Sequence, residues 1–243
     1  MTAPGSPQPP RYYELVMVAF VVILVCSNLI GPAKIAQVDL PFTPPWSDTA
    51  VLVFGAGVLF FPISYVFGDI LTEVYGYARS RRVIWAGFAA LAFASFMAWV
   101  VVALPPAPFW KNQEAYEIAF GNAWRVALAS MIAYFCGEFV NSFTLAKMKV
   151  LTRGRMLWTR TIGSTIVGEG VDSLLFYPLA FWGTGIIPDE ALPKVMLAQF
   201  VAKVSVEVLF TPVTYALVGW LKRAEGIDHY DRDTKFTPFS LRV

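Results

Sequence analysis

The sequence predicts an all-α polytopic membrane protein built from six transmembrane helices. Apolar residues make up 57% of the chain and charged residues only 15%, with a mean hydropathy of +0.57, a balance that excludes a soluble domain of ordinary surface chemistry. Six apolar segments, at 12–31, 49–67, 83–104, 124–147, 162–185 and 195–221, are each long enough to cross a hydrocarbon core of about 30 Å as a helix. Lysine and arginine gather in alternate breaks between them, the asymmetry that orients membrane proteins. The 243 residues have room for about six such spans with short connections, so no separate soluble domain fits. The expected organisation is a disordered N-terminal tail over 1–11, a six-helix membrane domain over 12–221 and a cytoplasmic tail over 222–243.

Taken in order, the N-terminal tail is proline-rich and has too little apolar surface to fold. The first span lacks a basic leader and is too long for a signal-peptide core, so it reads as a retained helix; Val25 before Cys26 argues against a lipoprotein site. Gly31-Pro32, the Pro41 to Pro45 cluster, Leu104-Pro105-Pro106 and Ile187-Pro188 punctuate the breaks. Arg79, Arg81 and Arg82 follow span two, Lys149, Arg153, Arg155 and Arg160 lie between spans four and five, and Lys222 and Arg223 follow span six. The alternate loops hold only Lys34, Lys111 and Lys194, which places both termini in the cytoplasm. Trp46, Trp110, Trp124 and Trp182 mark the outer interface, and Trp85, Trp158 and Trp220 the inner one. Cys26 and Cys136 fall inside spans and read as small core residues rather than a disulfide or metal pair. A net charge of +2 is too small to suggest a nucleic-acid partner, which leaves the lipid bilayer. Faces rich in glycine and alanine would permit a homodimer.

An unpaired acid within the hydrocarbon costs about 2.5 kcal/mol or more, so a chain that keeps several is expected to use them. Span five sets Glu169, Asp172, Ser173 and Phe176 on one helical face, a group that could hold a polar planar ligand. Gly163, Ser164 and Gly168 beside them would equally suit close approach of another helix. Span six places Gln199, Lys203 and Glu207 at successive i, i+4 positions, where Lys203 and Glu207 can pair locally, either at a central site or as a structural ion pair. Span four adds Tyr134, Glu138 and Asn141 on one stripe. Asn28 in span one either serves a ligand or bonds a neighbouring helix, while Lys34 and Arg125 are placed to snorkel. Asp69 and Glu73, one turn apart at the end of span two, lie beside the positive loop. There they could form an inner gate or a binding site, or simply a cytoplasmic helix end salt-bridged to Arg79, Arg81 or Arg82, and Pro62 is expected to free a carbonyl one turn earlier. The tail, with Asp228, Asp231 and Asp233 beside Arg232 and Lys235, reads as a solvated segment.

Four motifs together carry a family resemblance. The run FPISYVFGDILTEVYGYAR at 61–79, the run GEGVDSLLFYPLAF at 168–181, the pattern Lys203-x3-Glu207-x3-Thr211-Pro212 and the tail LKRAEGIDHYDRDTKFTPF at 221–239 resemble the queuosine precursor transporter family, also called the VUT family. The resemblance spans most of the chain from Asn28 to Phe239, but the N-terminal tail, span three and the loop around Lys111 carry no such motif. It implies a bacterial inner-membrane importer of 7-cyano- and 7-aminomethyl-7-deazaguanine, precursors used in transfer RNA modification. The implied layout is similar to that of the substrate-binding subunits of energy-coupling-factor vitamin transporters, with neither an ATPase module nor a cofactor.

A purine-like ligand then gives the polar residues roles. A deazaguanine presents an N1–H and a 2-amino group side by side, and one carboxylate can accept both. Glu169 and Asp172 are the first candidates, with Glu207 and Lys203 behind them; Asn28, Asn141 or Gln199 would address the O6 and pyrrole edge, and Phe176 or Tyr134 would stack on the ring. Asp69, Glu73 and Glu138 would serve as gate or coupling groups. The competing functions are a carrier, working by facilitated diffusion or proton coupling, a binding subunit of an ATPase-coupled vitamin-type transporter, and an enzyme. The enzyme is the weakest, because the lone His229 lies in the tail and no acidic cluster suited to Mg2+ or phosphate-binding loop is present.

Overall fold

A computed structural model describes residues 10–30, 34–43, 50–121, 124–185 and 187–240. The N-terminal tail up to residue 9, the Gly31-Pro32 break, Pro44, Pro45, Trp46 and the side chain of Trp124 lie outside the described residues. In chain order the elements are α1 (Tyr13–Leu29), β1 (Ile35–Asp39), β2 (Val51–Gly55), a 3-10 turn (Ala56–Phe60), α2 (Phe61–Tyr75), α3 (Tyr77–Ala103), α4 (Gln113–Phe120), α5 (Trp124–Leu151), α6 (Leu157–Phe181) and α7 (Leu192–Glu225). Among the described residues α3, α5 and α7 are long and apolar enough to cross a membrane by length and composition. The chain is therefore a mostly helical membrane protein. α1 is equally apolar but has 17 residues, and the 25 residues of α6 carry Arg160, Glu169 and Asp172.

Three expectations are corrected here. The fold is not wholly α, because β1 and β2 form an antiparallel hairpin with Ile35 opposite Gly55 and Asp39 opposite Val51. The segment 49–67 is accordingly not one helix but a strand, a 3-10 turn and the first part of α2. The run Val51-Leu52-Val53-Phe54 is β-branched and aromatic, and Gly55 and Gly57 break the helix that hydropathy alone would draw through it. Pro62 falls in the first turn of α2, where a missing N–H leaves nothing unpaired, so it starts the helix instead of interrupting it.

α2 is short and central. Its Val66, Ile70, Leu71 and Val74 are buried against Phe20 and Leu24 of α1, Ile84 of α3, and Val218 and Leu221 of α7. It stops at Gly76, whose φ of 85° is open to glycine at little cost, and α3 starts at the next residue. α5 and α6 share the most extensive helix contact. They cross where a Cβ on Gly168 would lie 2.7 Å from the Asn141 Cβ and one on Gly137 would lie 3.2 Å from the Gly168 carbonyl oxygen. Small residues at that crossing let the backbones meet.

The C-terminal tail is docked on the bundle rather than free, which revises the sequence reading, although Asp228, Arg232, Asp233 and Lys235 keep exposed side chains. It returns as a strap across the ends of α2, α3 and α5. The backbone N–H of Tyr77 donates to Asp231 Oδ2 at 3.0 Å, Arg81 Nη1 donates to the carbonyls of Lys235 and Thr237 at 3.0 and 2.7 Å, and Trp85 Nε1 donates to that of Pro238 at 2.7 Å. The Phe236 ring packs on Tyr77 and Phe143, and the His229 ring fills the space a side chain at Gly76 would need. Trp85, expected to mark the inner interface, is part of this clasp.

Candidate functional site

The α5–α6 crossing decides where the acids of α6 go. It sets Asp172 against Gly137 and turns Glu169 and Asp172 toward α7, where Lys203 donates to Glu169 Oε2 at 2.6 Å and to Asp172 Oδ2 at 2.8 Å. Lys203 therefore pairs across helices rather than with Glu207 on its own. Its side chain is 10% exposed, that of Glu169 13% and that of Asp172 21%, so the cluster is sheltered but not sealed. Glu138 of α5 lies within electrostatic reach of all three. Asn141, one turn along α5, is buried with its Oδ1 unpartnered, as is the Ser173 hydroxyl. Tyr177 also senses the Lys203, Asp172 and Glu169 charges, and the sequence reading missed it although it follows Ser173 by one helical turn. Phe176 packs edge-on to the rings of Tyr177 and Phe181.

Other expected site residues lie elsewhere. Asn28 donates to the Leu24 carbonyl at 2.9 Å and accepts from the Ser130 hydroxyl at 2.7 Å, tying α1 to α5. Tyr134 directs its hydroxyl to the Ile84 carbonyl of α3 at 3.4 Å. Gln199 is half-buried on α7.

Two further groups continue the line of acids. Asp69 of α2 and Glu207 of α7 are both fully buried and their carboxyls face each other within hydrogen-bonding reach. One turn along α2, Glu73 sits in a cage of cations. Arg160 donates to it from Nε at 2.7 Å and from Nη2 at 2.8 Å, Lys222 donates to Oε1, and Lys149 Nζ lies 3.5 Å from Oε1. Lys149 also donates to Asp228 Oδ1 and to the carbonyls of Glu73 and His229, each at 2.6 Å, which binds the strap into the cage.

Asp69 and Glu73 therefore do not pair with Arg79, Arg81 or Arg82. Arg81 is committed to the strap, and Glu73 takes its cations from α5, α6 and α7. Arg160, Lys149 and Lys222 are functional neighbours that the sequence reading left as loop charges. Their signal was faint: each stands within two residues of an expected span end. Among the described residues no group of three or more metal-ligating side chains gathers. The apolar hollow lined by Val101, Leu104, Phe109 and Tyr116 lies between α3 and α4, away from these acids.

Long apolar helices that bury charged side chains between them mark a membrane protein with a polar interior, and the family and relatives that the chain matches make its class a transporter rather than an enzyme. The family described as "Putative vitamin uptake transporter" matches residues 55–217, and the chain belongs to this family. It is 31% identical over 149 residues to the "Probable queuosine precursor transporter" of Bacillus subtilis (strain 168), an alignment covering 61% of this chain and 64% of that relative. It is 24% identical over 217 residues to the "Queuosine precursor transporter" of Escherichia coli (strain K12), covering 87% of this chain and 89% of that one. No solved structure matches.

Proposed function

We propose that the chain is an inner-membrane importer of queuosine precursors, taking up 7-cyano-7-deazaguanine or 7-aminomethyl-7-deazaguanine. In this reading α1, α2, α3, α5, α6 and α7 cross the bilayer and both termini face the cytoplasm, with the strap on the cytoplasmic side. The observation that carries it is Lys203 held between Glu169 and Asp172 in a position that a ligand can still reach. A deazaguanine offers what this group lacks. Its N1–H and 2-amino donors suit a carboxylate, its O6 acceptor suits the lysine ammonium, and its planar ring suits Phe176 or Tyr177. Ligand polar groups would replace partners that Lys203 now supplies, so binding need not leave a buried charge uncompensated. The names of both relatives support the substrate class.

Uptake of labelled precursor by a host unable to synthesise queuosine tests this. Glu169→Gln and Asp172→Asn are each expected to reduce uptake by at least about tenfold, the equivalent of one lost hydrogen bond to a charged group. Intact uptake in both variants would remove the site. Transport by the purified chain alone in liposomes separates a carrier from a subunit that needs an ATPase.

A further inference from the structure

Sorting the acids inside the bundle by what neutralises them leaves one fully buried pair over, with the half-buried Glu138 of α5 beside it. Glu169 and Asp172 share Lys203, and Glu73 has Arg160, Lys149 and Lys222. Between these groups Asp69 and Glu207 are each 0% exposed, and no N–H or hydroxyl reaches any of their side-chain oxygens. The titratable groups that act most strongly on the pair are Glu73 of α2, Glu138 of α5 and Glu169 of α6, all of them acidic. Two ionised carboxylates offer only acceptors, so these facing carboxyls can hydrogen-bond to each other only if one of them carries a hydrogen. Leaving both charged in a dry interior would cost several kcal/mol per ion.

We infer that Asp69 and Glu207 form a proton-binding site whose loading and unloading couples proton movement to transport. This rests on the reading of the chain as a carrier. A proton suits the site where a metal ion does not, since a hard cation needs six or more oxygen ligands and this pair supplies two side chains. Loaded, the pair joins α2 to α7 through an O–H···O bond. Unloaded, two like charges meet across the same contact and push the helices apart. α7 has a place to yield, because Pro212, little more than a turn beyond Glu207, lies inside the helix and interrupts its hydrogen-bond ladder. The proton thereby selects between two packings of α2 against α7.

The test is infrared difference spectroscopy on the full chain in liposomes, titrated from neutral to alkaline pH without substrate. A protonated-carboxyl C=O component is expected that disappears on alkalinisation in the unaltered protein and is missing from both Asp69→Asn and Glu207→Gln. Its absence from the unaltered protein, or its persistence in both variants, overturns the inference. The titration of the unaltered chain needs no variant, so a substitution that fails to fold does not stall the test. In the same vesicles a gradient of one pH unit, acidic outside, is expected to sustain about tenfold accumulation of labelled 7-cyano-7-deazaguanine at one proton per molecule. Accumulation driven by sodium in place of protons overturns the inference. Exchange without proton-driven accumulation sinks the coupling and leaves the carrier reading standing. If the unaltered chain does not exchange the deazaguanine, the substrate reading falls and the infrared result alone decides the proton site.

Discussion

Glu73 and Arg160 show how much a single buried charge depends on its partners. Both are almost wholly buried, and the guanidinium meets the carboxylate through two hydrogen bonds. Removing one partner strands the other, at a cost of about 3–5 kcal/mol. Glu73→Ala is therefore expected to lower thermal stability sharply in detergent, and Glu73→Gln, which still accepts hydrogen bonds, to lower it less; equal stability of Glu73→Ala and the unaltered chain would refute the cage. The sequence made some of this visible and hid the rest for a physical reason. Glu169 and Asp172 are three positions apart on one helix, so their common face follows from helical geometry. Glu73 and Arg160 are 87 residues apart, and nothing local links them. The expected Lys203–Glu207 pair failed in the opposite way, since a neighbour on the next turn was available but the carboxylates of α6 were nearer.

At the scale of elements, the α5–α6 crossing is the joint on which the site turns. Gly168→Ala would bring a Cβ to 2.7 Å from the Asn141 Cβ and 3.1 Å from the Gly137 carbonyl oxygen, neither of which can retreat alone. Overpacking of this kind costs about 1–3 kcal/mol. Gly163→Ala meets only the Met148 terminus, 2.9 Å away, which can rotate aside at a cost within about 0.5 kcal/mol. The ranking of the two variants by thermal unfolding checks the joint, and a reversed order would contradict it. Helices α1, α3, α5, α6 and α7 were legible because long apolar runs leave few alternatives. The hairpin was not, because a short run of valine, leucine and phenylalanine satisfies strand and helix alike until a pairing partner is known.

At the scale of the whole molecule, the strap makes one end of the bundle a closed unit. Burial works to raise the pKa of Asp228 and Asp231, but hydrogen bonds from Lys149 and Lys222 to the first, and from His229, the Tyr77 N–H and the Thr234 hydroxyl to the second, outweigh it and hold both below the usual carboxylate value. A carboxylate held down in the folded state stabilises docking above its unfolded value of 3.8 and stops doing so as pH falls below it. A nitroxide at Ser240 is expected to stay immobile at neutral pH and to gain mobility only under more acidic conditions; mobility already at neutral pH would show that the strap is not latched. Composition called this segment charged and therefore solvated. Two of its charges are instead taken up by the bundle, Asp228 by Lys149 of α5 and Lys222 of α7 and Asp231 by the Tyr77 N–H of α3, and no count of charges along a tail shows where the tail returns.

The last turn of α7 carries a separate tie. Glu225 accepts the backbone N–H groups of Arg11 and Tyr12 at 2.7 Å each and the Tyr75 hydroxyl at 2.8 Å, so the start of α1 is held by the end of α7. During biosynthesis α1 leaves the ribosome about two hundred residues ahead of Glu225. Until α7 has been made to its last turn the start of α1 lacks this acceptor, and a chain cut short before Glu225 keeps that turn unclamped.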